Sequence, residues 1–84
     1  MSNTLPPLGV ACCFRRVDLA RNMARFYVLS LELTLFGEVA ILRHWGRIGT
    51  RGRMTSSVHP TLQDAEAMLL RLLALRRKRG YLEA

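Results

Sequence analysis

Between Arg25 and Phe36 the chain alternates side-chain character with a period of two. Tyr27, Leu29, Leu31, Leu33 and Leu35 fall on one side of such a segment; Phe26, Val28, Ser30, Glu32 and Thr34 fall on the other. This alternation predicts a strand with one fully apolar face that must pack on something. Gly37, set between Phe36 and Glu38, predicts a hairpin turn. A second strand follows from Glu38 to about Ile48. Its even positions, Ala40, Leu42, His44, Gly46 and Ile48, are small or apolar apart from the histidine. Its odd positions begin with Val39 and Ile41 and then become Arg43, Trp45 and Arg47. Gly49-Thr50-Arg51-Gly52 suits a further tight turn. Arg53 to His59 reads as a polar edge strand with Met54 and Val58 pointing inward. Upstream, Val10 to Val17 predicts a short strand, and the run DLARNMAR after it a loop or single turn.

Beyond Pro60 the period changes. Thr61 to Asp64 fits a helix N-cap with an acidic first turn. Leu62, Ala65, Met68, Leu69, Leu72, Leu73 and Leu75 recur at helical spacing and predict an apolar stripe. Arg76, Arg77, Lys78 and Arg79 fill the last turn, where cations suit the helix dipole, and Gly80 occupies a left-handed C-cap position. The sum is an α+β fold: a small antiparallel sheet of about four strands with one C-terminal helix packed on its leucine-rich face. Residues 10–84 form one domain, and residues 1–9, with two prolines and a glycine, a loose tail.

Composition narrows the function. Half of the 84 residues are hydrophobic, which is a folding composition. The formal net charge is +7, and all but one of the 13 basic residues are arginine. Guanidinium groups contact phosphate in pairs of hydrogen bonds and stack on flat rings, so the charge points to an anionic partner, nucleic acid first and a membrane surface second. The apolar stripe of the helix is needed to cover the sheet, which argues against a membrane role. No stretch approaches the roughly twenty apolar residues of a membrane span, and the N-terminus lacks the pattern of a signal peptide. Cys12 and Cys13 are adjacent and lack a CxxC partner, so two reduced thiols in a cytoplasmic protein are expected, with no metal and no cofactor.

The stretch HWGRIGTRGR, residues 44–53, holds the only tryptophan. The strand period puts Trp45 on one face with Arg43 and Arg47, and Leu42 and Ile48 on the other. Taking Leu42 and Ile48 as core-facing places Trp45 on the side of the sheet away from the leucine core, as a stacking platform for a base or sugar with arginines ready for phosphate. The alternative is that Trp45 covers a small second core with Phe26 and Val28.

Trp45-Gly46-Arg47-Ile48-Gly49 resembles the signature of the WGR domain, a family found in DNA-dependent poly(ADP-ribose) polymerases and in short stand-alone bacterial proteins. RNMARFY (residues 21–27) resembles the start of the family's long strand, and RRKRGY (residues 76–81) its helix end and closing aromatic. The resemblance covers about residues 11 to 82 and implies binding at DNA strand ends. By position it makes Trp45 the stacking residue and gives Arg47 a contact to DNA or a neighbouring domain. Asn22 and Arg25 are placed near a terminal phosphate, with Tyr81 closing the same site. Arg43, Arg51 and Lys78 complete the expected nucleic-acid-binding set. These residues contain no ADP-ribosyl transferase region, and the cysteine pair belongs to no pattern of the family.

Three functions are thus on the table. The first is a non-enzymatic nucleic-acid-binding module, DNA favoured. The second is a protein-interaction module or homodimer using the basic or leucine-rich sheet surface. The third, an enzyme, would have to rely on His44 or His59; His44 is expected to face inward as a hydrogen-bonded structural residue.

Overall fold

The computed structural model describes residues 8–83. Five antiparallel strands form one sheet in the order β4-β3-β2-β1-β5: β1 (Ala11–Asp18), β2 (Met23–Leu33), β3 (Val39–Arg47), β4 (Arg53–His59) and β5 (Leu82–Glu83). One helix, α1 (Leu62–Lys78), connects β4 to β5 and covers one face. The first four strands run as a meander, while β5 returns to the far edge and pairs with β1 through Phe14 and Arg15. That fifth strand adds to the four expected; two residues carry no legible alternation.

The register decides which side chains share a face. Tyr27 lies opposite Phe14 on β1 and Trp45 on β3; Leu29 lies opposite Cys12 and Arg43; Leu31 lies opposite Ile41. Directly opposed residues point to the same side of an antiparallel pair. These residues form the helix-covered face, where Phe14, Tyr27, Leu29, Leu31, Val39 and Ile41 pack on Ala65, Leu69 and Leu73 of α1. The other face carries Phe26, Val28, Leu42, His44, Met54 and Val58, with nothing from α1 over it.

Several expectations change here. β2 stops at Leu33 because the chain reverses: the Thr34 hydroxyl accepts hydrogen bonds from the amides of Phe36 and Glu38, and Gly37 adopts φ +79°. Leu35 is therefore wholly exposed, and Leu33 largely so. Met54 and Val58 point outward, because they pair with His44 and Ala40 on the uncovered face. Leu42 and Ile48 belong to that face too: Leu42 is half-buried there and Ile48 exposed. In α1 the fully buried line is Ala65, Leu69, Leu73 and Arg76, and Leu62 and Leu75 lie outside it. The notion of residues 1–9 as a tail falls mostly outside the described residues; Gly9 donates its amide to the Leu31 carbonyl at 2.7 Å.

Both ends of α1 form as the sequence dictates. The Thr61 side chain accepts from the Asp64 amide at 3.1 Å, which satisfies a free donor of the first turn. At the other end Gly80 adopts φ +85°. The Gly80 amide donates to the Arg77 carbonyl and the Tyr81 amide to the Arg76 carbonyl, both at 3.0 Å. This paired closure is the Schellman arrangement, and it sets Tyr81 back over the last turn.

Candidate nucleic-acid interface

Trp45 is on the helix side of the sheet. The sequence grouped it correctly with Arg43 and Arg47 but put that group on the wrong side. The direct pairing of Trp45 with Tyr27 fixes the matter, since Tyr27 is a fully buried core residue. The second-core reading fails as well. Phe26 packs against His44 on the uncovered face at 4.9 Å between ring centres, and Trp45 stacks on Tyr27 instead, at 6.2 Å and 27° between ring planes.

Burial along β3 explains how a core face becomes a surface. Val39 and Ile41 are buried, Arg43 and Trp45 half-buried, and Arg47 exposed. The strand outruns the cover of the helix. Where α1 ends, a cleft of about 540 Å³ opens between its last turn and the ends of β2 and β3. Trp45 and Tyr81 supply its aromatic walls, and Arg25, Arg47, Arg76 and Arg79 its charge, with Gly46 between. No carboxylate lines it. Among the described residues the ion pairs are Arg21 with Asp18 at 3.6 Å and Arg77 with Glu83 at 3.3 Å, and neither belongs to the cleft.

Each wall is held by chemistry the sequence supplies. Asn22 adopts the left-handed conformation (φ 52°) that asparagine tolerates, at the end of a short turn. There its carbonyl oxygen and side-chain oxygen accept from the two terminal nitrogens of Arg47, at 3.1 and 3.2 Å. Arg76 is the buried cation of the lining. Only 8% of it is exposed, and its guanidinium carbon lies 4.3 Å from the centre of the Tyr27 ring and 5.4 Å from that of Tyr81. Its Nε is buried without a hydrogen-bond partner. A buried cation held by aromatic faces thus adds positive charge to the wall of the cleft.

The turn from β3 to β4 closes behind the cleft. Gly46 and Gly52 touch there, and a Cβ on Gly46 would come 2.6 Å from the Gly52 Cα. The His44 ring nitrogen Nε2 donates to the Arg51 carbonyl, so His44 is a hydrogen-bonded structural residue, although it lies on the uncovered face.

Of the eight residues expected at the site, Trp45, Arg47, Arg25 and Tyr81 line the cleft, and Asn22 adjoins it through Arg47. The other three stand apart. Arg43 donates from Nε to the Tyr27 hydroxyl at 2.8 Å and lies 5.6 Å from the centre of the Trp45 ring, outside the cleft lining. Arg51 belongs to the exposed turn, and Lys78 is exposed on α1; neither lines the cleft. Arg76 and Arg79 were missed as individual residues. The signal for Arg76 was present: it continues the spacing of Ala65, Leu69 and Leu73, so the apolar line of the helix ends in an arginine.

The thiols are free. Cys13 is exposed and Cys12 half-buried; burial first, then the Glu83 carboxylate, pushes the Cys12 thiol up from its ordinary value. Among the described residues no group of three or more His, Cys, Asp or Glu could hold a metal ion, and no helix is long and apolar enough to cross a membrane.

A family model described as the WGR domain matches residues 10–84. An uncharacterized protein of Sinorhizobium fredii, y4dW, is 50% identical over 66 residues, which are 79% of this chain and 32% of that protein. A crystal structure of a Bacteroides fragilis protein superposes with a TM-score of 0.77 at 20% identity, covering 89% of this chain and 19% of that one. The chain thus spans about a third of the curated relative and a fifth of the solved chain, and the latter likeness concerns the fold alone.

Proposed function

Because the chain belongs to the WGR domain family, we propose that it is a non-enzymatic module that binds nucleic acid, DNA above all, in the cleft at the end of α1. Strand ends are the preferred form, and sequence specificity is small. The observation that carries this reading is the pairing of an aromatic wall, Trp45, with four cleft arginines and no carboxylate. Stacking is tolerant of base identity, and guanidinium groups hold phosphate, so both contributions suit a nucleotide whatever its base. Nothing in the lining of the cleft forms a base-reading array.

The test is fluorescence anisotropy on labelled duplexes with 5′-phosphorylated ends, with unphosphorylated ends and as a closed hairpin, for the wild type and Trp45→Ala. The reading requires a preference for ends that Trp45→Ala abolishes. Affinity should fall with salt by about 0.9 log units per tenfold salt for each phosphate neutralised. Equal binding of all forms, or an affinity that ignores salt, contradicts it.

A second reading concerns the opposite face. Met54, at 66% exposed, and Val58, at 54%, stand on edge strand β4, and they favour a protein contact there, in a homodimer or with another chain. A mass in solution that stays monomeric at high concentration removes the homodimer.

A further inference from the structure

One row of the sheet is electrostatically odd. Arg47 on β3 lies directly opposite Arg25 on β2, and Arg25 lies directly opposite Arg16 on β1. All three are on the helix-covered face. Like charges placed directly across a strand pair destabilise it, and here there are three in succession. Strands are spaced about 4.8 Å apart, so the row runs about 10 Å across the sheet. Glu83 and Asp18 on the same face ion-pair with Arg77 and Arg21, and no ion pair among the described residues relieves the row.

The row does not stop at the cleft. Arg25 and Arg47 line it, but Arg16 lies beyond, against the helix end: a Cβ on Gly80 would be 3.5 Å from the Arg16 Nε. The Arg16 side chain thus lies next to the end of the helix at Gly80. With Arg76 and Arg79 the region gathers five guanidinium groups. A terminal phosphate monoester brings a charge of about −1.5 to −2. Such a monoester on its own leaves most of the cationic charge uncompensated.

We propose that the row Arg16–Arg25–Arg47 is a polyphosphate track, and that the cleft takes a nucleotide carrying two or more phosphates in series. This rests on the reading of the cleft as a nucleotide-end site and names its ligand more closely. The base or sugar stacks on Trp45. The first phosphate lies by Arg47 and Arg25, beside the Arg76 guanidinium that lines the cleft, and the next ones run across the strands towards Arg16. Two sources present this chemistry: a free nucleoside di- or triphosphate, and a strand that keeps a 5′-triphosphate.

Trp45 is the only tryptophan, so its fluorescence reports on the cleft directly. The full chain is titrated, without divalent cations, with AMP, ADP, ATP and inorganic tripolyphosphate. Two single strands of one sequence, with a 5′-monophosphate or a 5′-triphosphate, form the other arm. The track predicts a gain of about tenfold for each added phosphate, the size of one charge-assisted contact. It predicts that Arg16→Gln removes the advantage of ATP over ADP and leaves AMP unchanged. The source is free nucleotide if ATP binds more tightly than the triphosphate strand, and a strand end if the order is reversed; both support the track. Equal affinities for AMP, ADP and ATP overturn it, as does an Arg16→Gln variant that weakens all three alike. Tripolyphosphate binding as tightly as ATP overturns the nucleotide assignment. If the two strands bind equally tightly and AMP, ADP and ATP do as well, the track alone fails; if no strand and no nucleotide binds, the nucleotide-end reading fails with it.

Discussion

The two faces of this sheet differ in a way that inverts the usual division. The face under the helix holds the core, and its strands also carry Arg16, Arg25, Arg43, Arg47 and Arg53. The strands of the uncovered face carry Arg15 and Glu32 as their charged residues, beside Val28, Leu42, Met54 and Val58. Charge therefore gathers on the side that also holds the apolar core. The reason is length. A strand has one parity but not one environment, and β3 passes from buried Val39 to exposed Arg47 on a single face. Parity assigns the face; position along the strand decides whether that face is core or exposed surface.

Substitutions paired across the faces sharpen this contrast. Leu29 is fully buried under the helix, while its neighbour Val28 is half-buried on the other side. Leu29→Ala should cost about 2–5 kcal/mol of stability in urea unfolding, in line with buried leucine truncations. Val28→Ala should cost clearly less. Equal losses would mean that the uncovered face is as well packed as the core.

Gly52 ties the faces together at the β3–β4 turn. It adopts φ +68°, and a Cβ there would sit 2.7 Å from the Phe26 ring and against the Trp45 carbonyl. Gly52→Ala should destabilise by about 1–3 kcal/mol through strained backbone and crowding. A thermal melt checks it; an unchanged midpoint would show that the turn yields freely.

Binding should respond on one face only. Trp45→Ala should weaken nucleic-acid affinity by roughly 1–3 kcal/mol, the worth of one stacked base, and Leu42→Ala should leave it unchanged. Arg76→Met separates charge from packing. Its stability should stay within about 1 kcal/mol of wild type, because an apolar side chain of similar volume replaces a buried cation. Its affinity for nucleic acid should nevertheless drop. A large loss of stability would make Arg76 a structural residue first. The smallest contrast is chemical: exposed Cys13 should react with a thiol reagent before half-buried Cys12, whose raised pKa lowers its thiolate fraction at neutral pH.

Much of this was legible in the sequence because local rules agreed. Thr61 and Gly80 mark the ends of α1, the alternation through Leu29 and Leu31 marks β2, and Trp45, Arg43 and Arg47 share a face by period alone. What failed was the assignment of that face. Leu42 and Ile48 compete with Val39 and Ile41 for the core side, and the pairing of Trp45 with Tyr27, a long-range fact, decides between them. The same limit hid the place of Arg16, which comes from register with Arg25 and nearness to Gly80 rather than from any motif. Arg76 was hidden differently. A basic run at a helix end has an ordinary dipole explanation, and that explanation masked one member standing in the apolar stripe.

The central claim is that ligand binds on the helix side of the sheet, in the cleft at the end of α1. Amide and indole chemical shifts of the isotope-labelled chain, followed during titration with a short 5′-phosphorylated duplex, test it most directly. The account predicts that shifts concentrate at Arg25, the Trp45 indole, Gly46, Arg47, Arg79 and Tyr81. Shifts concentrated instead at Cys13, Val28, Leu42, Met54 and Val58 would place binding on the uncovered face and contradict it.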